Sequence, residues 1–253
     1  MMASIDDLER ATAGGWQAKE TAAIGDWLLR AAEGFTGRAN SALAIGDPGV
    51  PLDDAIERVL SWYLARGLRP MISIAFPVGR PEASALDRLL ADRGWPVRPG
   101  AIVMTSTVTE VACRTAGAVI PVAVHDHPDE SWLALYRFGG EPPPVSRKLL
   151  MSAPWQAFGS VREAGQAIAI GRVAVSDGWA GLTAVEVHEN HRRRGLGAAV
   201  TGALTAAAAG RGVTSVYLQV FPANEGARRL YERCGFTEHH AYHYRMAPAG
   251  HCS

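Results

Sequence analysis

The stretch Val185 to Gly197, reading VEVHENHRRRGLG, limits what this chain can fold into more than any other. Val185 and Val187 alternate with polar neighbours as in a strand. The run then turns polar and basic, passes Gly195-Leu196-Gly197 and enters an alanine-rich segment. The pattern predicts a strand, a turn, and a helix from about Leu196 to Ala209. Two glycines allow the backbone to approach a ligand closely. The amides of a helix start, beside Arg192, Arg193 and Arg194, would face an anion. A basic turn ahead of an ordinary surface helix has the same local pattern, so the decision rests on the remaining sequence.

The 253 residues allow one large domain or two small ones, each able to bury a core. Net charge is zero, so composition gives no support for non-specific nucleic-acid binding. Cys113, Cys234 and Cys252 are widely separated, form no metal-ligand spacing and suggest a reducing compartment. Asp6, Asp7 and Glu9 stand where a signal peptide needs an apolar core, and Ala203 to Ala209 is too short to span a bilayer. A cytoplasmic protein is expected, with no metal, no nucleic-acid partner and no membrane partner.

Along the chain, periodicity predicts a helix over 3–13 and a hairpin from Trp27–Arg30 and Ser41–Ile45 about a turn at Glu33–Gly37. An amphipathic helix follows from Leu52 to Tyr63, then a strand Met71–Phe76, a helix carrying Leu86, Leu89 and Leu90, and a β-rich run Ala101–Val108. The pattern then restarts with a strand Val119–Val124, a helix Asp129–Phe138 and a short helix Ser146–Met151. Strands Ala157–Arg162, Ala167–Val175 and Ala180–Val187 lead into the opening stretch. A strand Ser215–Val220, a helix Asn224–Cys234 and a strand Ala241–Met246 close the chain.

The two halves resemble each other. Gly34, Gly67 and Gly94, with their neighbours, match Gly178, Gly212 and Gly235 at a nearly constant offset of roughly 141–145 residues, which implies a duplicated unit. The boundary falls near Arg114 to Ala118, giving domains 1–114 and 115–253. The offset carries Gly195 and Gly197 back to about Pro51 and Asp53. Pro51 has no amide hydrogen and Asp53 would repel an anion, so the first domain should lack this site.

The form Arg192-x-x-Gly195-x-Gly197 stands between a strand and a helix. It is joined about 30 residues on by Asn224, Leu230-Tyr231 and Gly235-Phe236. With these parts, residues 119–247 resemble the GNAT superfamily of acetyl-coenzyme A (acetyl-CoA) dependent N-acetyltransferases, and the first half looks like a degenerate second copy. The chain as a whole is similar to the actinobacterial tandem members, in which phrases like Gly37-Arg38-Ala39-Asn40-Ser41 and Tyr242-His243-Tyr244-Arg245 are familiar. Some of that group are regarded as amino-acid acetyltransferases, including for glutamate.

The resemblance implies an α/β (α+β) chain of tandem GNAT-like units, each a mixed, mostly antiparallel sheet flanked by helices. It implies that the amides of about Arg193 to Ala198, including Gly195, Leu196 and Gly197, hold the coenzyme A pyrophosphate with Arg192, Arg193 and Arg194. The backbone of Val185 to Val187 would pair with the pantetheine arm, which requires the sheet to splay beyond it. Asn224 would cap its helix and bond the same arm. Tyr231 would donate a proton to the departing thiolate.

The residues themselves leave alternatives open. Ala227, Leu230, Tyr231 and Cys234 form one helical stripe, so Tyr231 could equally be core. Several relatives place a basic glutamate where this chain has Gln219, which cannot take a proton. Glu186 is the first substitute, with an outward-facing carboxylate as its plain alternative, and His188, Glu189 and His243 follow. The acceptor should meet Trp132, Tyr136, Arg137, Arg147, Trp155 or Phe158, where Arg137 or Arg147 could grip a carboxylate. Arg38, Asn40 and Tyr242 join them if the halves share a cleft. The expected activity is direct acetyl transfer, without an acyl-enzyme, to a primary amine of a small molecule, with a peptide acceptor or a non-catalytic acetyl-CoA sensor as rivals. A homodimer is compatible with the sequence.

Overall fold

A computed structural model describes residues 3–79, 84–117, 120–136 and 142–249. The chain contains α1 (Ile5–Gly15), β1 (Glu20–Ile24), β2 (Trp27–Ala31), β3 (Ala42–Leu43), α2 (Leu52–Leu64), β4 (Met71–Pro77), α3 (Ala85–Asp92) and β5 (Val97–Thr107). It continues with α4 (Val108–Thr115), β6 (Ala123–His125), α5 (Glu130–Leu135), α6 (Pro144–Leu150), β7 (Trp155–Glu163), β8 (Gln166–Ser176) and β9 (Trp179–Val187). Last come α7 (Leu196–Ala209), β10 (Ser215–Val220), α8 (Glu225–Arg233) and β11 (Thr237–Met246). Among the described residues, no helix is long and apolar enough to cross a membrane.

Two compact units result, and they do not follow the sequence halves. One gathers 1–102 with 239–253, and the other holds 103–238. The first orders its strands β1-β2-β3-β4-β11, and the second runs β10-β9-β8-β7-β6 with the end of β5 beside β10. Two successions match element for element. α1-β1-β2-β3-α2-β4-α3-β5 corresponds to α6-β7-β8-β9-α7-β10-α8-β11. In each, the third and fourth strands pair parallel, Ala42 opposite Ile72 and Ala180 opposite Val216, while the hairpins are antiparallel. Gly34, Gly67, Gly94, Gly178, Gly212 and Gly235 all adopt left-handed φ angles, between 64° and 89°. The sequence offset therefore marks equivalent backbone turns that favour glycine.

The core of the first unit follows from the α2 periodicity. Ile56, Val59, Leu60 and Tyr63 pack with Ile72 and Ile74 of β4, Leu86 and Leu90 of α3, and Trp95. In the second unit α7 lies unusually near the sheet. A Cβ on Gly171 of β8 would fall 2.6 Å from Val200, and one on Gly159 of β7 would fall 3.2 Å from Leu204. The two strand glycines make the room that Val200 and Leu204, the large residues α7 turns toward the sheet, occupy.

Several boundaries differ from the sequence reading. The first hairpin joins β1 to β2 through the tight turn Gly25-Asp26, with Ile24 opposite Trp27. β2 meets β3 only at Leu28 and Leu43. The stretch expected to be the hairpin turn is instead organised by Asn40, whose Oδ1 accepts from the amides of Ala32 and Gly34 at 2.7 and 2.8 Å. The expected boundary near Arg114 to Ala118 begins inside the last turn of α4, a helix started by Thr107, whose hydroxyl accepts from the Glu110 amide. The expected strand Val119–Val124 is reduced to β6, and Val119 lies outside the described residues. Asp129 caps α5, which stops at Leu135 rather than Phe138.

Candidate active site

β9 and β10 pair only from Trp179–Leu182 against Ser215–Leu218 and then part. The cause is visible in β9. Ala184 sits at φ 52°, and the register against β8 slips between Ile170 and Arg172. A bulge adds a residue, bends the strand and re-aims the side chains that follow. Beyond it, Glu186 and Val187 keep their β8 partners on one side, opposite Ile170 and Ala169. On the β10 side the ladder has ended.

The chain then makes a short 3₁₀ turn at Glu189–His191, passes Arg193 at φ 65° and Gly195 at φ 80°, and enters α7. The first amides of α7 have no carbonyl partner within the helix. A Cβ on Gly197 would lie 2.8 Å from Leu230 of α8, so this glycine permits close passage of the two helices. Asn224 caps α8, its Oδ1 accepting from the Ala227 amide at 3.1 Å.

These elements enclose a cavity of about 510 Å³. Val185, Glu186 and Val187 line it from β9, and Arg192, Arg193, Gly195, Leu196 and Gly197 from the turn. Asn224, Gly226, Ala227, Leu230 and Arg233 line it from α8. The size suits a small-molecule ligand. The structure thus joins most of the residues singled out in the opening stretch with Asn224, and adds Arg233, which the sequence reading missed. The signal was present, because Arg233 lies three residues after Leu230 and six after Ala227, on one helical face.

Other candidates fall elsewhere. Arg194 does not line the cavity. Its guanidinium donates to Nδ1 of His191 at 2.7 Å and lies 3.5 Å from Glu163. Ala198 sits within α7. Tyr231, next to the lining residue Leu230 on α8, is 8% exposed and edge-on to Phe236 at 5.9 Å, and burial with the nearby Cys234 pushes its phenol above the usual range. Among the described residues its hydroxyl has no hydrogen-bond partner. Burial likewise pushes the Cys234 thiol up, which keeps it protonated and a poor nucleophile. His188 is exposed and caps the 3₁₀ turn that begins at Glu189, and Gln219 is on β10.

His243 and Tyr242 belong to the first unit. His243 Nε2 is 3.0 Å from Asp87, and Tyr242 is buried beside Tyr244. Asn40 is occupied by the backbone bonds described above, and Arg38 lies over the Trp16 ring. Among the acceptor candidates, Phe158 and Trp132 are core residues packed edge to face. Tyr136 is buried against Trp132, and Arg147 is exposed and paired with Glu130. Trp155 is half-buried with Arg211 over its ring, and Arg137 lies outside the described residues.

The corresponding place in the first unit is filled differently. Arg93, just after α3, pairs with Asp53 and, at 2.9 Å, with Glu57, bridging to α2. α2 begins after Pro51 without a side-chain cap.

A family model described as the probable histone acetyltransferase Rv0428c C-terminal matches residues 2–245. The chain belongs to this family of acetyltransferases. It is 30% identical over 251 residues to the uncharacterized N-acetyltransferase YobR of Bacillus subtilis, covering 97% of this chain and 99% of that one. It is 31% identical to the probable histone acetyltransferase Rv0428c of Mycobacterium tuberculosis, covering 98% of this chain and 74% of that one. Among solved structures, a GCN5-related N-acetyltransferase from Kribbella flavida matches with a TM-score of 0.73 at 20% identity, over 99% of this chain and 98% of that one. A tandem GNAT protein from the clavulanic acid biosynthesis pathway matches with a TM-score of 0.60 at 13% identity, over 82% and 75%. The acetyltransferase is therefore a GNAT-superfamily enzyme with a tandem α/β fold.

Proposed function

We propose that the acetyltransferase binds acetyl-CoA in the cavity between β9, the α7 turn and α8, and transfers the acetyl group to a primary amine of a small molecule such as an amino acid. The observation that carries this reading is the parting of β9 from β10 beside a cavity that also receives the start of α7. An extended amide-bearing arm can complete the β9 edge. A pyrophosphate can meet the free amides of α7 beside Arg192 and Arg193. Asn224 supplies a side-chain amide at the opposite wall.

The transfer needs four events at this site. Glu186, in the cavity wall, accepts a proton from the acceptor ammonium. The freed nitrogen forms a bond to the thioester carbonyl carbon, and the carbon–sulfur bond breaks with its electron pair leaving on sulfur. Tyr231 gives its proton to that sulfur, the nitrogen sheds the second proton it still carries in excess after attack, which re-protonates Tyr231 through solvent, and Glu186 releases its own proton to solvent. No cysteine takes part, in keeping with the raised thiol of Cys234. The filled counterpart at Asp53, Glu57 and Arg93 favours one coenzyme site per chain, in the unit of residues 103–238.

A protein amine is the second reading, favoured by the histone acetyltransferase name of the Mycobacterium tuberculosis relative. Thiol release from acetyl-CoA over a panel of amino acids, amines and peptides tests both. Turnover on a free amino acid or small amine is expected. Turnover confined to peptides would move the acceptor to protein, and tight binding without turnover on any acceptor would make the chain a sensor.

A further inference from the structure

Three arginines line the cavity from two separate walls. Arg192 and Arg193 come from the turn, and Arg233 comes from the last turn of α8. Most arginines of this chain are engaged by acids or carbonyls. On α8 itself, Arg228 pairs with Glu238 at 2.6 Å and Arg229 with Glu225 at 3.1 Å. Arg233 is different. It is exposed, faces the cavity and has no hydrogen-bond or ion-pair partner among the described residues.

Its position along α8 separates it from the turn. Leu230 is the residue that meets Gly197. A helical rise of about 1.5 Å per residue sets Arg233 roughly 4.5 Å further along the axis. There the helix dipole is negative, so the place is poor for an anion unless a cation accompanies it. Arg233 is that cation.

The ligand proposed above carries two anionic parts. Its pyrophosphate has one charge per phosphate, matched by the α7 amides with Arg192 and Arg193. Its ribose carries a separate phosphomonoester, with about −1.5 to −2 charges at pH 7. A guanidinium on a different wall suits the anion attached at a different point of the ligand.

We propose that Arg233 binds the ribose 3′-phosphate of coenzyme A and makes the enzyme discriminate against coenzymes lacking it. This rests on the coenzyme reading above, and the test separates the two. Calorimetric titration of the full chain with coenzyme A and with 3′-dephospho-coenzyme A gives four affinities for the wild type and R233A. The wild type is expected to prefer coenzyme A by about tenfold. R233A should lose about tenfold in coenzyme A affinity and less than twofold for the dephospho form. R192A should weaken both ligands by the same factor, and R233K should retain most of the preference.

Equal weakening of both ligands by R233A, or no weakening of either, would overturn the assignment while leaving the coenzyme site intact. A wild type that binds neither ligand would overturn the coenzyme reading itself. Arg233 is exposed, so its replacement does not disturb the core.

Discussion

Tyr231→Phe divides a proton donor from a packing residue, and the structure sets the size of each effect. The Tyr231 side chain is 8% exposed, and its ring meets Phe236 edge-on. Phenylalanine keeps that ring pair, worth about 0.5–1.5 kcal/mol. The hydroxyl makes no hydrogen bond among the described residues, so none is lost. The hydroxyl is not among the fully buried side-chain atoms left without a partner, so its removal should leave stability within about 1 kcal/mol. At about 2–4 °C per kcal/mol for a chain of this size, the melting temperature should move by no more than a few degrees. Turnover should behave otherwise. Loss of a general acid lowers kcat by about 10²–10⁴-fold.

Burial raises the phenol above its usual value of about 10, so the donor stays protonated across the neutral range. The wild-type rate should then show no alkaline fall from Tyr231 between pH 7 and about 9. Thiol release at saturating acetyl-CoA, measured beside thermal melts of the same samples, gives both numbers. A Tyr231→Phe enzyme with wild-type kcat would refute the proton-donor argument and leave Tyr231 as core.

Gly197→Ala should trade a helix-propensity gain of up to about 1 kcal/mol against a displaced Leu230 rotamer of about 0.5–1.5 kcal/mol. Stability should hardly move while coenzyme A affinity falls about tenfold, and an unchanged calorimetric Kd would count against the placement of the coenzyme. Glu186→Gln preserves shape and removes the base. It should lower kcat about 10²–10⁴-fold with little change in the acetyl-CoA KM, and a wild-type pH–rate profile in this variant would exclude Glu186.

Burial pushes the Asp87 carboxyl up, but the bonds from Arg245 at 2.6 Å and His243 at 3.0 Å outweigh it and hold the group below the usual carboxylate range. A carboxyl lowered on folding contributes stability that is present above about pH 4 and lost as pH falls through the folded value. Asp87→Asn should therefore lower the melting temperature more at pH 7 than at pH 3, and an equal drop at both would contradict this.

The α7 turn was legible because its chemistry is local. Glycine supplies the left-handed Gly195 and the close contact at Gly197, and both appear in the sequence as glycine. Which arginines face the cavity was not legible. That depends on the left-handed Arg193 and on Glu163, at the end of β7, which helps draw Arg194 aside with His191. β1 escaped notice because Glu20-Thr21-Ala22-Ala23-Ile24 has little apolar alternation and is mostly exposed. His243 stood among the candidate bases in the sequence. β11 pairs with β4, which takes His243 into the first unit and onto Asp87. Strand partners so distant in sequence leave no periodic trace. The splay of β9 was expected from the family resemblance, but its cause, a bulge at Ala184, has no signature in an alanine.

Hydrogen–deuterium exchange of the full chain with and without acetyl-CoA tests the central claim most directly. The account predicts slowed exchange at the amides of 185–198, where β9 and the start of α7 would gain partners, and across 224–233. No change is expected at 51–60. Protection absent from 185–198, or appearing instead at 51–60, would contradict it.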